Sequence, residues 1–176
     1  MKKQSFILII CVVLLSFSSA VAQFDKGDKL LNVGVGLNTR YTGNLPLVGS
    51  FEYGITETIS FGAGMDFIAS NYGNNLGNYG YSVVTLGARG SYHVNDLLKL
   101  DMERLDLYCG GFAGFRIFNW NNANFIGKPT SNAYGNAPII SAHVGARYYF
   151  TPIVGAFAEV AVGGWLSANT GLALRF

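Results

Sequence analysis

Thr170-Gly171-Leu172-Ala173-Leu174-Arg175-Phe176 alternates with a period of two. Apolar or β-branched side chains occupy positions 170, 172, 174 and 176, and small or charged ones occupy 171, 173 and 175. A period of two belongs to an extended strand, whose successive side chains point to opposite faces. A strand that is greasy on one face, charged on the other and finished by an aromatic fits poorly in a water-soluble domain. It fits a barrel whose outside is lipid.

The front of the chain points the same way. Lys2 and Lys3 precede an apolar run from Phe6 to Leu15, and Ala20-Val21-Ala22 is an A-x-A cleavage site. Residues 1–22 therefore read as a secretory signal peptide cut before Gln23, leaving 23–28 as a short N-terminal periplasmic segment and 29–176 as an outer-membrane β-barrel. Cys11 is no lipoprotein cysteine, because the bulky Ile10 stands where that motif needs a small residue. Without Lys2 and Lys3 the chain carries ten basic residues against ten acidic. Net charge thus gives no case for nucleic-acid binding. Cys109 is the only cysteine after the leader, which excludes an intramolecular disulfide and a cysteine metal cluster. All 23 glycines lie beyond residue 22, roughly twice the usual share. No run of 18 apolar residues follows the leader, so no spanning helix is available.

Alternating segments of about ten residues, broken by turn signals, occur eight times. They are 29–38, 47–55, 59–70, 81–94, 105–120, 138–150, 154–163 and 168–176. In the third, Phe61, Ala63, Met65 and Phe67 oppose Ser60, Gly62, Gly64 and Asp66. In the sixth, Ile140, Ala142, Val144, Tyr148 and Phe150 oppose Ser141, His143, Gly145 and Arg147. The pattern predicts an all-β fold, an eight-stranded antiparallel up-and-down transmembrane barrel with a filled polar lumen. An even strand number puts both termini on one side. The Asn- and Gly-rich stretches 71–80 and 121–136 read as long outer loops, and Leu97 to Leu100 as a helical turn within a ten-residue link. Tyr92, Tyr148, Phe150 and Phe176 close the downward segments, as an aromatic girdle requires.

Nearly every strand charge falls on the polar face: Glu52, Asp66, Arg89, Arg116, Arg147, Glu159 and Arg175. An arginine facing lipid at mid-membrane costs about 2–4 kcal/mol, so these belong inside. An eight-stranded interior is just wide enough for side chains to fill, and unpaired charges there are prohibitive. The seven are expected to form a buried ion-pair network that plugs the lumen, with the glycines of the same face making room for the arginines.

Catalytic and cofactor patterns are weak. Ser141 and His143 share a face with Glu159 on the next strand, which invites a Ser/His/Glu hydrolase reading. Parity puts the trio inside the barrel, out of reach of a lipid chain, and Ser91/His93 repeats the spacing as a habit of lumen polarity. Two histidines and one cysteine make no metal site. Gly34-Val35-Gly36 lies within a strand with no helix after it, so no phosphate loop exists. No cofactor and no catalytic residue is expected.

The leader, the eight segments, the Gly-Ala-Arg-Tyr-Tyr-Phe-Thr-Pro stretch at 145–152 and Phe176 resemble the small outer-membrane β-barrel proteins, similar in plan to the OmpA transmembrane domain and OmpX. That resemblance implies residence among outer-membrane lipids. It also implies folding by the barrel assembly machinery, with Leu172, Leu174 and Phe176 as the C-terminal signal. Two roles are open to such a barrel: structural or surface-interaction display of loops 71–80 and 121–136 toward a surface ligand, or a narrow gated pore. A lipid A-modifying enzyme is a third, in which the histidine-before-serine order of the deacylases is reversed here.

Overall fold

The structure is a computed structural model that describes residues 24–39, 44–74, 77–100, 102–121 and 135–176. Eight strands follow one another: β1 (Lys29–Thr39), β2 (Leu47–Gly54), β3 (Ile59–Asn74), β4 (Gly77–His93), β5 (Leu105–Asn121), β6 (Ala137–Tyr149), β7 (Val154–Val162) and β8 (Leu166–Arg175). Each pairs antiparallel with its chain neighbours, and β1 pairs with β8 to close the barrel. The seam runs from Leu30 opposite Arg175 to Thr39 opposite Leu166, with bulges at Gly36 to Thr39. Lys29 and Phe176 exchange both backbone hydrogen bonds, at 2.9 and 3.1 Å. Closure matters physically because a lipid-exposed strand edge would leave backbone amides and carbonyls without partners. Phe24 and Phe176, the first and last described residues, lie at one rim, here the terminal end. The other rim is the hairpin end.

The two faces separate as the alternation requires. Val33, Leu47, Phe61, Met65, Leu86, Phe115, Ile140, Val144, Val160 and Leu172 are exposed around the outside. Asn32, Glu52, Arg89, Arg147 and Glu159 are buried within. Tyr92, Tyr148, Phe150 and Phe176 are exposed toward the terminal rim, and Tyr148 meets Phe150 edge-on at 5.7 Å.

Three expectations are corrected. Residues 71–80 are not an outer loop. β3 and β4 stay in register from Ile59 opposite Tyr92 to Asn74 opposite Gly77, leaving only 75–76 between them. Asn and Gly are poor strand formers in isolation, but an established ladder supplies their backbone bonds step by step, and context overrides propensity. The second proposed loop falls largely on residues 122–134, outside the described residues.

The lumen is also not polar throughout. Val48, Ile68, Tyr81, Val83, Phe118, Phe157 and Trp165 are buried in one apolar cluster, and Trp165 Nε1 donates to Thr85 Oγ1 at 2.7 Å. The interior beyond the charges is thus filled like an ordinary core.

The inward glycines, finally, make room for rings and backbone rather than for arginines. A Cβ on Gly64, Gly87 or Gly114 would meet the Phe112 ring, one on Gly110 would meet His143, and one on Gly145 would strike Tyr108. Gly145→Val is therefore expected to cost about 1–3 kcal/mol by overpacking, read as a lowered denaturant midpoint. Gly111→Val is the control, since a Cβ there meets only the Ser141 carbonyl oxygen at 3.7 Å.

Candidate functional site: the buried ion-pair layer

Every strand contributes a side chain to one layer across the lumen: Asn32, Glu52, Ser60, Arg89 with His93, Asp106 with Tyr108, Arg147, Glu159 and Asn169. Alternation places each on the inner face of its strand. Closure then brings residues up to 115 apart in sequence into contact.

Arg147 is the hub and has no exposed surface. Its Nε donates to Asn32 Oδ1 at 3.1 Å, Nη1 to Asp106 Oδ2 at 2.8 Å and Nη2 to Glu52 Oε1 at 2.8 Å. Its guanidinium carbon lies 4.0 Å from the Tyr108 ring centroid, a cation–π contact in a dry setting. Arg89 donates from Nε to Glu52 Oε1 at 3.0 Å and makes a two-pronged contact with Glu159, at 3.2 and 2.5 Å. Tyr108 OH donates to Glu159 Oε2 at 3.1 Å. Paired charge-assisted bonds of this kind are the arrangement that a buried charge needs.

Ser60, His93 and Asp106 are connected like a hydrolytic triad. Ser60 Oγ lies 3.0 Å from His93 Nε2, and His93 Nδ1 lies 2.6 Å from Asp106 Oδ1. The surroundings tie these groups into the ion layer as well. Ser60 is fully buried and its single hydroxyl proton is donated to Glu52 Oε2 at 2.9 Å. Phe24 closes the site, its ring stacked on His93 at 3.5 Å between centroids and 4° between planes. Within the layer Arg89 and Arg147 balance Glu52 and Glu159.

Of the seven residues read from sequence, Glu52, Arg89, Arg147 and Glu159 meet in this layer and the other three do not. Asp66 lines a cavity of about 60 Å³ toward the hairpin end, beside Arg89, Glu159, His143 and Trp165, room for a few waters at roughly 10–15 Å³ each. Arg116 is buried near the hairpin end and donates to the Gly135 carbonyl at 3.0 Å. Arg175 sits at the terminal rim, 3.8 Å from Asp28, and donates to the Pro152 carbonyl at 3.3 Å. All four arginines face inward. Asp106 is the charged residue of the layer that sequence reasoning missed. It opens β5 beside a ten-residue link and reads as a rim charge, yet it shares parity with Tyr108 and stands directly opposite Arg147. His143 Nε2 lies 3.1 Å from Ser91 Oγ, a contact outside the proposed Ser141/His143/Glu159 trio. Leu172 and Phe176 are exposed, while Leu174 is half-buried.

No protein-family model and no curated protein sequence matches the chain. Solved structures do. The outer membrane protein OprG of Pseudomonas aeruginosa superposes with a TM-score of 0.59 at 8% identity, over 89% of this chain and 99% of OprG. A de novo designed transmembrane β-barrel gives 0.53 at 21% identity, over 88% of this chain and 99% of the design. Ail, the attachment invasion locus protein of Yersinia pestis, gives 0.52 at 10% identity in its complex with the heparin analogue sucrose octasulfate, over 86% and 99%. The fold is that of the small eight-stranded outer-membrane barrels. At such identities the likeness extends to architecture alone.

Proposed function

We propose that the chain is an integral outer-membrane barrel, exported by residues 1–22, with its termini in the periplasm and a role in structure or surface interaction at its hairpin end. The observation that carries this reading is the combination of an apolar belt on the outside and a lumen blocked by a hydrogen-bonded ion layer next to an apolar cluster. The belt matches hydrocarbon, and the fill leaves the rims as the surfaces that can act. The register changes which hairpin residues are available: β3 and β4 project as a long ribbon, and residues 121–136 remain the candidate loop for a surface ligand. Ail shows that this architecture serves an attachment protein elsewhere. Leu172, Leu174 and Phe176 on the seam strand suit recognition by the barrel assembly machinery.

The pore reading competes, since a cavity adjoins the ion layer. Planar-bilayer recording of the purified barrel separates the two. A blocked lumen is expected to give no stable unitary conductance at either polarity, and a reproducible unitary step would replace the display reading with a channel.

A further inference from the structure

The link between β4 and β5 carries apolar surface that neither the belt nor the lumen explains. Leu98 N donates to the Val94 carbonyl at 3.0 Å, Lys99 N to Asp96 at 3.1 Å and Leu100 N to Asn95 at 3.1 Å, forming one helical turn. Lys99 ends it with a φ of 50°, the left-handed conformation typical of a helix stop. The turn is clamped to the barrel. Asn95 is buried, its Nδ2 donates to the Leu105 carbonyl, and its Oδ1 accepts from Leu107 N at 2.7 Å. Such a clamp fixes where the turn's side chains point.

Val94 follows Tyr92 on the outward parity of β4, and residues three and four positions along a helical turn share its face. Leu97 and Leu98 therefore stand beyond the end of the apolar belt on the same side. They are 69% and 53% exposed, and Met102 is 50% exposed. The adjoining β6–β7 connection adds exposed Phe150 and Ile153, held beside the link by the Tyr149 N to Arg104 carbonyl bond at 2.9 Å. The β2–β3 turn on the other flank of the link, bonded to it through His93 N and the Thr58 carbonyl at 2.8 Å, offers the polar Thr56-Glu57-Thr58 between Ile55 and Ile59. Burying a leucine is favourable by about 1.5–3 kcal/mol, so apolar residues fixed toward water on one side of a rim need a cover.

We propose that Leu97, Leu98 and Met102 form an interfacial foot that inserts into the lipid headgroup and acyl boundary at the terminal end. The occupant is lipid because the patch is continuous with the lipid-facing belt. The interleaved Asp96, Lys99, Glu103 and Arg104 provide polar groups of both signs for a zwitterionic headgroup layer. Among the described residues the foot projects from the β4–β5 link, so it fixes insertion depth and favours a tilt toward the β4–β7 side. This inference rests on the membrane reading above.

The test is spin-label depth measurement on the full barrel in phosphatidylethanolamine/phosphatidylcholine vesicles, in a Cys109→Ala background. Single variants Leu97→Cys, Leu98→Cys and Lys99→Cys carry the label, and Leu86→Cys marks the mid-belt. Relaxation by oxygen reports lipid, and relaxation by a water-soluble nickel chelate reports water. The foot predicts oxygen-dominated relaxation at 97 and 98, intermediate in depth between 86 and the water-exposed 99. Nickel access at 97 and 98 equal to that at 99 would overturn it, with 86 still deep. Shielding of 97 and 98 from both reagents would also overturn it, in favour of a protein partner. Nickel access at 86 as well would refute the membrane reading itself, a distinguishable result.

Discussion

Arg147→Met is expected to lower the barrel's unfolding free energy by about 3–5 kcal/mol, the range found when one partner of a buried ion pair is removed. Denaturant titration of the barrel in lipid vesicles, followed by tryptophan fluorescence, measures it. Methionine keeps most of the side-chain volume, so the cost is electrostatic rather than a cavity. Glu52 would lose its shortest ion pair, Asp106 its arginine and Asn32 Oδ1 its donor, all of them buried. Arg175→Met is the internal comparison. Its ion pair is long, at 3.8 Å, and Asp28 is partly exposed, so its loss is expected to cost less than that of Arg147. Adding Glu52→Gln to Arg147→Met is expected to cost less than the sum of the single changes, because the second substitution removes the charge that the first strands. Equal effects of Arg147→Met and Arg175→Met would refute the layer's role as the hub of the interior.

The architecture was legible because an apolar outside and a narrow inside each impose a rule that sequence obeys with period two. Thr170 to Phe176 shows both rules in seven residues, and every arginine placed inward by parity lies inward. Depth along the barrel axis was not legible. Parity names the face but not the level, so Arg116 and Arg175 were grouped with Arg89 and Arg147 although they sit near opposite rims. Level depends on stagger between strands, which local sequence does not encode. The same gap hid Asp106, whose neighbour across the ladder is Arg147. The stretch 71–80 failed for another reason. Its composition favours loops, and only pairing with its own partner strand shows that it extends the hairpin. Phe112 and Phe157 were passed over because large inward rings disagree with a polar lumen. The glycines at 64, 87 and 114 were the available signal, since bare backbone opposite a ring is how a narrow barrel admits one.

Val144→Arg is expected to destabilise the barrel in bilayers by about 2–4 kcal/mol, against about 0–1 kcal/mol for Phe150→Arg at the terminal rim. Val144 is exposed in mid-strand, between Cys109 on β5 and Val160 on β7. A guanidinium there would lie in hydrocarbon, beside Cys109 and Val160 rather than a carboxylate among the described residues. At Phe150 the same group reaches headgroups and water. Unfolding titrations of both variants in vesicles of one lipid composition provide the measurement, so that differences in bilayer thickness cancel. A water-soluble barrel of equal strand number predicts the opposite pattern. Val144→Arg would then sit on a hydrated surface, with an effect within about 0.5 kcal/mol and a gain in solubility without detergent. The substitution thus decides between lipid and water as the medium around the belt, independently of what fills the lumen.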